Sequence, residues 1–151
     1  MTAATIRPAT AADASAVEAL LTGSNLPLNG GREALGCFVV AHDDGRLVGV
    51  AGIEECGVRG EHALLRSVAV DPAWRNRGLG RALVSRAIAL AESRGAKALY
   101  LLTTTAEHYF PSFGFTTTSR EAVPDDVRST AEFQGACPAS ATVMVRRLEP
   151  A

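Results

Sequence analysis

The sequence predicts an α/β fold, in which a mixed, mostly antiparallel sheet carries helices on both faces. Short apolar runs of strand type, bounded by glycine, proline and aspartate, alternate with longer segments whose apolar residues recur at helical spacing. Three strands follow one another through short connections, which favours antiparallel pairing. A helix then joins the strand at residues 63–70 to the strand at 97–103, so these two can lie parallel. No linker or internal repeat is visible, and we expect residues 1–151 to form a single domain.

The N-terminal part is predicted to contain a strand at residues 5–7, stopped by Pro8, and then a helix. Thr10 and Asp13 have the spacing of a capping box, in which each side chain pairs with the backbone N–H of the other residue. Gly23 is a typical helix end. The apolar side of this helix consists of Ala14, Val17, Leu20 and Leu21.

The sequence Asp43-Asp44-Gly45 predicts a hairpin turn between strands at residues 37–42 and 46–56. Gly49 and Gly52 inside the second strand indicate close packing or a bulge. Pro111 predicts that a helix from about Ala106 is short or kinked, because proline removes a helical hydrogen bond. The other elements are expected as a strand at 63–70, a helix at 80–94, a strand at 97–103, a helix beginning at Pro124 and a strand at 141–148.

A ligand-binding motif directly follows the strand at 63–70, in the sequence S-V-A-V-D-P-A-W-R-N-R-G-L-G. Gly78 and Gly80 have no Cβ, so a ligand can approach the backbone closely. They lie at the start of a helix, where unpaired N–H groups and the positive end of the helix dipole favour an anion. Arg75, Arg77 and Arg81 add full positive charges. The motif therefore predicts a diphosphate-binding site.

Two better-known phosphate loops do not fit. The chain lacks G-x-x-x-x-G-K-[ST], and it lacks G-x-G-x-x-G with an acidic residue about 20 positions later. The R-x-x-G-x-G motif after a V-D-P turn instead resembles the GNAT N-acetyltransferases. This resemblance implies that acetyl-CoA is the co-substrate, and that the two central strands splay apart to receive its pantetheine arm.

A second signature of that family is similar to the segment T-T-T-A-E-H-Y-F-P-S-F-G-F. Thr103 stands where the family has asparagine, and its hydroxyl keeps a binding role plausible. Phe110 stands where the family has the tyrosine that protonates the leaving thiolate. Tyr109 is therefore either a displaced acid or a packed aromatic residue. The residues predicted to bind the cofactor are Val68, Ala69, Val70, Arg75, Asn76, Arg77, Gly78, Leu79, Gly80, Arg81 and Thr103.

Arg66 is the main candidate for binding the acceptor. An arginine in an apolar strand is costly to bury unless it is paired, and its fork suits a carboxylate or phosphinate bidentately. The alternative is a stem that lies on the sheet with its head in water. Ser140, before the last strand, is a second candidate. The resemblance adds Leu26 and Asn29, whose loop borders the acceptor site in the family.

The chemistry also requires an amine without its proton. An α-amino group is less basic than a lysine side chain, so a larger fraction is neutral at cellular pH. The glutamate base of the family would fall at Leu64, which is apolar. Glu54 or Glu55 on the preceding strand is a replacement candidate, and a solvated acid at a strand end is the alternative. Weak base catalysis is enough for such an amine, whereas lysine would need a stronger base.

The sequence therefore predicts direct acetyl transfer from acetyl-CoA to a small amino compound. L-L-T-T-T-A-E, A-V-P-D-D and C-P-A-S-A resemble the small acetyltransferases associated with arsenic resistance. A looser similarity exists to the acetyltransferase domain of N-acetylglutamate synthase. These resemblances imply a free amino acid, an organoarsenical or a phosphinic glutamate analogue as acceptor. The alternatives are a catalytically weak CoA-binding regulatory module and a protein N-terminal or lysine acetyltransferase.

Composition limits the partners. The formal charge of −1 gives no general attraction to nucleic acid or to an anionic membrane. No apolar run has the length of a transmembrane helix and no signal pattern is visible, so a cytoplasmic location is expected. The three cysteines are widely spaced, and no metal-ligand spacing occurs. Dimers are common among the similar proteins, and a homodimer is therefore one expectation.

Overall fold

A computed structural model describes residues 4–24, 35–56, 61–75, 77–104, 106, 108–130, 133–134 and 141–148. Its strands form one sheet in the order β1-β2-β3-β4-β5-β7-β6. The strands are β1 (Thr5–Pro8), β2 (Phe38–Asp43), β3 (Arg46–Cys56), β4 (His62–Val70), β5 (Ala98–Thr103), β6 (Thr116–Thr118) and β7 (Thr142–Arg147). The α-helices are α1 (Ala14–Gly23), α2 (Leu79–Ser93) and α3 (Asp125–Arg128). β4 and β5 are parallel and the other described pairs are antiparallel, which confirms the predicted fold class.

The start of α1 is built as the sequence predicted. The Asp13 carboxylate accepts the Thr10 backbone N–H at 2.7 Å, which is one half of the capping box. The same buried carboxylate accepts two hydrogen bonds from the Arg7 guanidinium, both at 2.9 Å. This arrangement joins β1 to α1 and holds the pKa of Asp13 down at about 2, chiefly through the bonds from Arg7.

The β2–β3 hairpin contains the predicted turn. Asp44 and Gly45 both have positive φ, 51° and 80°, as a two-residue turn of type I′ requires. Gly49 and Gly52 are sites of close packing, also as predicted. A Cβ at Gly49 would lie 2.6 Å from Leu83 Cδ1, and one at Gly52 would overlap the Phe38 ring.

The sheet has a core on each face. On one face α2 covers the central strands through Leu83, Val84, Ala87, Ile88 and Ala91, all nearly inaccessible to solvent. On the other face α1 packs against the N-terminal half of the sheet. Val127 of α3 packs with Leu64, Tyr100 and Val143 against the C-terminal half. Helices therefore lie on both faces, as predicted.

Two irregularities in β4 shape the centre of the sheet. Val50 pairs with Ala69 and Gly52 with Arg66, so β4 contains one more residue than β3 between these pairs. Ser67 lies in this bulge with a φ of 58°. Pairing with β5 stops at Leu64 opposite Tyr100. The two parallel strands therefore diverge beyond that point, and the predicted splay is confirmed.

Several predicted boundaries shift by a residue, and one strand was missed. Cys37 belongs to the 3-10 turn Leu35–Cys37, and α2 begins at Leu79. The chain around Pro111 forms only the 3-10 turn Phe110–Phe113, as the proline predicted. β6 was not predicted, because three threonines at an exposed edge have no apolar alternation. None of the described helices is both long and apolar enough to cross a membrane.

Candidate functional site

The loop after β4 is held by Asp71. Its backbone N–H donates to the Val48 carbonyl at 2.8 Å, and its carboxylate accepts the Ala73 N–H at 2.9 Å. Arg46 forms an ion pair with the same carboxylate at 2.9 Å. These contacts make the 3-10 turn Pro72–Trp74 and direct the chain from the end of β4 into α2.

The N-terminus of α2 is open to a ligand. Gly78 is the N-cap, with a φ of 81° and no side chain to cap the helix. The first N–H groups of an α-helix have no partner inside it, so the amides of residues 79–81 are available as donors. An anion there is favoured by these amides and by the helix dipole. This geometry fits the predicted diphosphate site.

The arginines around this N-terminus already have contacts within the chain. The Arg77 guanidinium lies over the Trp74 ring, 5.0 Å from its centroid. Arg75 Nε donates to the Val70 carbonyl at 3.4 Å. Arg81 donates to Ser112 Oγ at 3.1 Å and stacks on Phe113. Their charges still surround the helix start. Their role in binding the diphosphate stays a prediction. Asn76 lies outside the described residues.

The bulged end of β4 faces the gap beside β5. Beyond Leu64 no described strand pairs with β4 on that side. Backbone N–H and C=O groups at such an edge need partners, and the amides of a pantetheine arm can supply them. Val68, Ala69 and Val70 form this edge, and their contact with the cofactor stays a prediction.

Arg66 is buried, and its guanidinium has one nitrogen without a partner. The side chain has no exposed surface. Nη1 donates to Glu54 Oε1 at 2.9 Å and Nε donates to Ser67 Oγ at 3.1 Å. Nη2 is buried and unpaired. The predicted alternative of a head in water is wrong. The contact with an acceptor carboxylate stays a prediction, and Nε and Nη1 already donate within the protein.

Glu54 lies on β3 directly opposite Leu64 and forms the ion pair with Arg66. Its side chain is 28% exposed, so one oxygen can meet the guanidinium while solvent or a ligand reaches the carboxylate. Leu64 is fully buried and supplies no base, as its apolar nature implied. Glu55 is engaged elsewhere, with Arg94 at 2.7 Å. Of the two candidate bases, only Glu54 is joined to Arg66.

Tyr109 packs in an aromatic group. Its ring meets Phe110 and Phe113 edge to face, with centroids 5.3 and 5.2 Å apart. Its hydroxyl lies 3.5 Å from the position of a Cβ built on Gly80, at the start of α2. Burial raises the pKa of Tyr109, so the hydroxyl is a protonated donor at neutral pH. These ring contacts favour the packing alternative; the acid role stays a prediction.

Phe110 and Thr103 also have defined places. Phe110 is buried against Phe113 and Phe115, where its ring has no polar group to offer. The Thr103 hydroxyl accepts the Ala106 N–H at 2.9 Å at the end of β5. Its predicted contact with the cofactor is not tested by this bond.

The fold thus brings Arg66 and Glu54 together at the bulge, and Arg75, Arg77 and Arg81 around the start of α2. Ser140, Leu26 and Asn29 lie outside the described residues. The sequence reasoning missed Ser67. A polar residue directly after Arg66 in an apolar strand was the only available signal, because a positive φ at a serine leaves no mark in the sequence.

A second group of polar side chains lies at the other end of β4. Glu61, His62 and Asp126 have potential metal-ligand atoms within 4.8 Å of one another. His62 Nδ1 is already hydrogen-bonded to Asp126 at 3.0 Å. This ordinary pairing accounts for the contact between the histidine and the aspartate, and we assign no ligand to the group.

Similarity to known proteins agrees with this geometry. The chain is 32% identical over 92 residues to an amino-acid acetyltransferase of Ectopseudomonas mendocina, covering 58% of this chain and 20% of that protein. The chain thus spans about one fifth of the length of such relatives. N-acetylglutamate synthase of Neisseria gonorrhoeae, solved with coenzyme A and N-acetyl-glutamate, superposes with a TM-score of 0.82 at 26% identity, over 99% of this chain and 36% of that one.

A Mycobacterium tuberculosis protein solved with CoA has the same fold over nearly the whole of both chains. The TM-score is 0.81 at 24% identity, over 96% of this chain and 99% of that one. The sequence model of the acetyltransferase (GNAT) family matches residues 12–115, which is well over half of the sequence. The matched range includes β4, the predicted diphosphate motif and α2. The chain therefore belongs to the GNAT acetyltransferase family.

Proposed function

We propose that this protein transfers the acetyl group of acetyl-CoA to the amine of a small free amino acid by direct attack. One observation carries the choice of acceptor, namely the unpaired Nη2 of buried Arg66 beside the bulge of β4. The names of the similar proteins support it. The E. mendocina relative is an amino-acid acetyltransferase, and the N. gonorrhoeae structure contains N-acetyl-glutamate.

The physical argument starts from the cost of an unpaired buried donor. A buried polar group without a partner costs about 1–3 kcal/mol, and more when it is charged. A carboxylate oxygen at Nη2 would remove this cost and form a charge-assisted hydrogen bond, about twice as strong as a neutral one. Glu54 already compensates part of the positive charge of Arg66. An acceptor group with one negative charge, such as a carboxylate, therefore fits Nη2 better than a group with two.

The cofactor would be held by backbone more than by side chains. The amides of residues 79–81 would bind the diphosphate, and the β4 edge at Val68–Val70 would bind the pantetheine arm and polarise the acetyl carbonyl. Acetyl-CoA supplies an activated acetyl group in this arrangement. Arg75, Arg77 and Arg81 would add electrostatic attraction.

The transfer needs little proton chemistry from the protein. The neutral amine attacks the acetyl carbon, so a C–N bond forms and the C–S bond breaks. The nitrogen loses one proton, which Glu54 accepts directly or through water and passes to solvent. The departing sulfur gains one proton, from solvent or from Tyr109 if the predicted acid role holds. The α-amine of an amino acid is less basic than a lysine side chain, so this weak assistance has less to do than it would for lysine.

Thiol release from acetyl-CoA tests the proposal. The panel contains L-glutamate, L-methionine, a phosphinic glutamate analogue, a trivalent organoarsenical amino acid, and peptides with a lysine or a free N-terminus. We expect turnover of a free amino acid or of its arsenical or phosphinic analogue, and no comparable turnover of the peptides. Faster acetylation of the peptides would contradict the proposal.

A second candidate is a regulatory module that binds acyl-CoA without turnover. The observations that favour it are Phe110 in place of the acid and Leu64 in place of the base, both buried and apolar. Calorimetric binding of acetyl-CoA without thiol release across the whole panel would support this candidate.

We also propose that residues 1–151 act as one domain, in the cytoplasm, as a homodimer and without nucleic acid or membrane partners. Light scattering of the purified chain tests the dimer. A monomer at the concentrations used for turnover would contradict it.

A further inference from the structure

We propose that Ser67 is a positioning residue, whose hydroxyl fixes the Arg66 guanidinium so that Nη2 faces the acceptor. This inference rests on the proposed function and adds the residue that sets its specificity. Ser67 does not touch the reacting atoms in this account. It acts through Arg66.

The contact is direct and buried. Ser67 is 6% exposed and Arg66 is 3% exposed. Arg66 Nε donates to Ser67 Oγ at 3.1 Å, and Nη1 donates to Glu54 Oε1 at 2.9 Å. Two bonds from different nitrogens of a planar guanidinium fix its rotation. The third nitrogen, Nη2, is buried and keeps its donors for a ligand that enters beside the bulge.

The bulge makes this contact possible. Side chains of successive residues in a regular strand point to opposite faces of the sheet, so residues 66 and 67 would not normally meet. The extra residue of β4 and the φ of 58° at Ser67 interrupt this alternation. A non-glycine residue in this backbone region is uncommon and strained, and such residues occur often at functional sites.

The same bulge forms the edge on which the thioester is proposed to bind. Ser67 immediately precedes Val68, the first residue of that edge. One residue therefore connects the anchor for the acceptor to the backbone that polarises the acetyl carbonyl. The hydroxyl thereby sets the distance between the bound carboxylate and the acetyl carbon, and with it the reach of the amine.

Removal of the Ser67 hydroxyl should reduce the preference for acceptors that carry a carboxylate over acceptors that do not. Without Ser67 Oγ, Arg66 Nε loses its hydrogen-bond partner and the guanidinium can rotate. The N–H groups of Nη2 are then no longer held in one orientation. We expect kcat/KM for a carboxylate-bearing acceptor to fall about tenfold, the usual effect of a buried hydrogen bond to a charged group. We expect little change for an acceptor that has no carboxylate.

The experiment compares two variants that differ in backbone strain. Ser67→Ala removes the hydroxyl and keeps the strain at positive φ, whereas Ser67→Gly removes the hydroxyl and relieves the strain. An equal effect in both variants assigns the change to the hydroxyl. Ser93→Ala is the matched control, because Ser93 is an exposed serine in α2 whose hydroxyl bonds only the Leu90 carbonyl.

The probes are L-glutamate and L-methionine, each compared with an isostere in which every carboxylate is an amide. The readout is the ratio of kcat/KM for acid and amide in wild type, Ser67→Ala, Ser67→Gly, Arg66→Ala and the double variant Ser67→Ala/Arg66→Ala. We expect the ratio to fall in Ser67→Ala, in Ser67→Gly and in Arg66→Ala. We expect the double variant to fall no further than Arg66→Ala alone, because both changes remove the same interaction. The affinity for acetyl-CoA should remain unchanged in Arg66→Ala.

The possible failures are distinct. An unchanged acid-to-amide ratio in Arg66→Ala overturns the proposed acceptor anchor. A reduced ratio in Arg66→Ala with a wild-type ratio in both Ser67 variants leaves that anchor intact and overturns the inference about Ser67. A fall in Ser67→Ala that Ser67→Gly does not share also overturns it, because backbone strain would then be the cause.

Discussion

The two halves of the candidate site are built on different physical principles. The proposed cofactor half, at the start of α2, would use backbone amides, a glycine N-cap and arginines at the protein surface. The proposed acceptor half, at the β4 bulge, would use the buried Arg66 side chain with Glu54 and Ser67 around it. A backbone site suits a constant ligand, whereas a buried side chain suits discrimination among small acceptors. The two halves should therefore fail separately when they are mutated.

The largest effect is expected in the acceptor half. Arg66→Ala should lower kcat/KM for free amino acids by about 30- to 5000-fold, since truncation of one partner of a buried charge pair costs about 2–5 kcal/mol. The dissociation constant of acetyl-CoA, measured by calorimetry, should stay within about twofold of wild type, since the amides at α2 are untouched. A comparable loss of acetyl-CoA affinity would show that the halves are not separate.

The next largest effect is expected from a change in the cofactor half, at Gly78. Gly78→Ala puts a Cβ on a residue with a φ of 81°, which costs about 1 kcal/mol and disturbs the amides of the first turn. We expect acetyl-CoA affinity to fall about tenfold, with an unchanged preference for acids over amides.

Gly95→Ala is the control for this change. Gly95 lies just beyond the other end of α2 with a φ of 84°, and both positions have open space around an added Cβ. The strain is therefore matched, while only Gly78 lies at the ligand site. An equal loss of acetyl-CoA affinity in both variants would assign the effect to helix stability.

A stability change away from both halves should leave each of them intact. Asp13 has a pKa of about 2 because Arg7 and Thr10 bind its carboxylate, compared with 3.8 for an ordinary aspartate. Its stabilisation is therefore complete above about pH 4 and is lost as pH falls towards 2. Asp13→Asn should lower the free energy of unfolding at pH 7 by about 1–2 kcal/mol.

Denaturant unfolding at pH 7 and at lower pH checks this expectation. The difference between wild type and Asp13→Asn should shrink below pH 4. A difference that stays constant to pH 2 would show that the carboxylate charge does not stabilise the fold.

The smallest effect concerns Tyr109. Its ring contacts predict that Tyr109→Phe, which keeps the packing, changes kcat by about twofold or less. A general acid would contribute about 100-fold or more, and its loss would also remove the alkaline limb of the pH–rate profile. The kcat and its pH profile, measured on Tyr109→Phe, therefore decide between the two alternatives that the sequence left open.

The sequence was most informative about the cofactor half. The backbone requirements of Pro72 and Gly78 can be read directly, because proline ends the strand and glycine takes the positive φ at the start of α2. The GNAT resemblance added the splay, which is present between β4 and β5. Sites made of backbone at glycines are thus visible in a sequence, because few other residues can replace glycine there.

The acceptor half was predicted only in part. Arg66 stood out as a charge in an apolar strand, but its hydrogen-bond partners depend on the β4 bulge. That bulge comes from one extra residue relative to β3 and from a positive φ at Ser67, which has no characteristic residue type. Tertiary pairing, and not local propensity, decides such a feature. β6 was missed for a related reason, since its pairing with β7 and not its composition makes it a strand.

A crystal structure with coenzyme A and L-glutamate or L-methionine would show where both ligands bind. We expect a carboxylate oxygen about 2.7–2.9 Å from Arg66 Nη2, with the Glu54 and Ser67 contacts retained. We also expect the diphosphate on the amides of residues 79–81. A carboxylate bound away from Arg66, or a diphosphate away from the start of α2, would contradict these expectations.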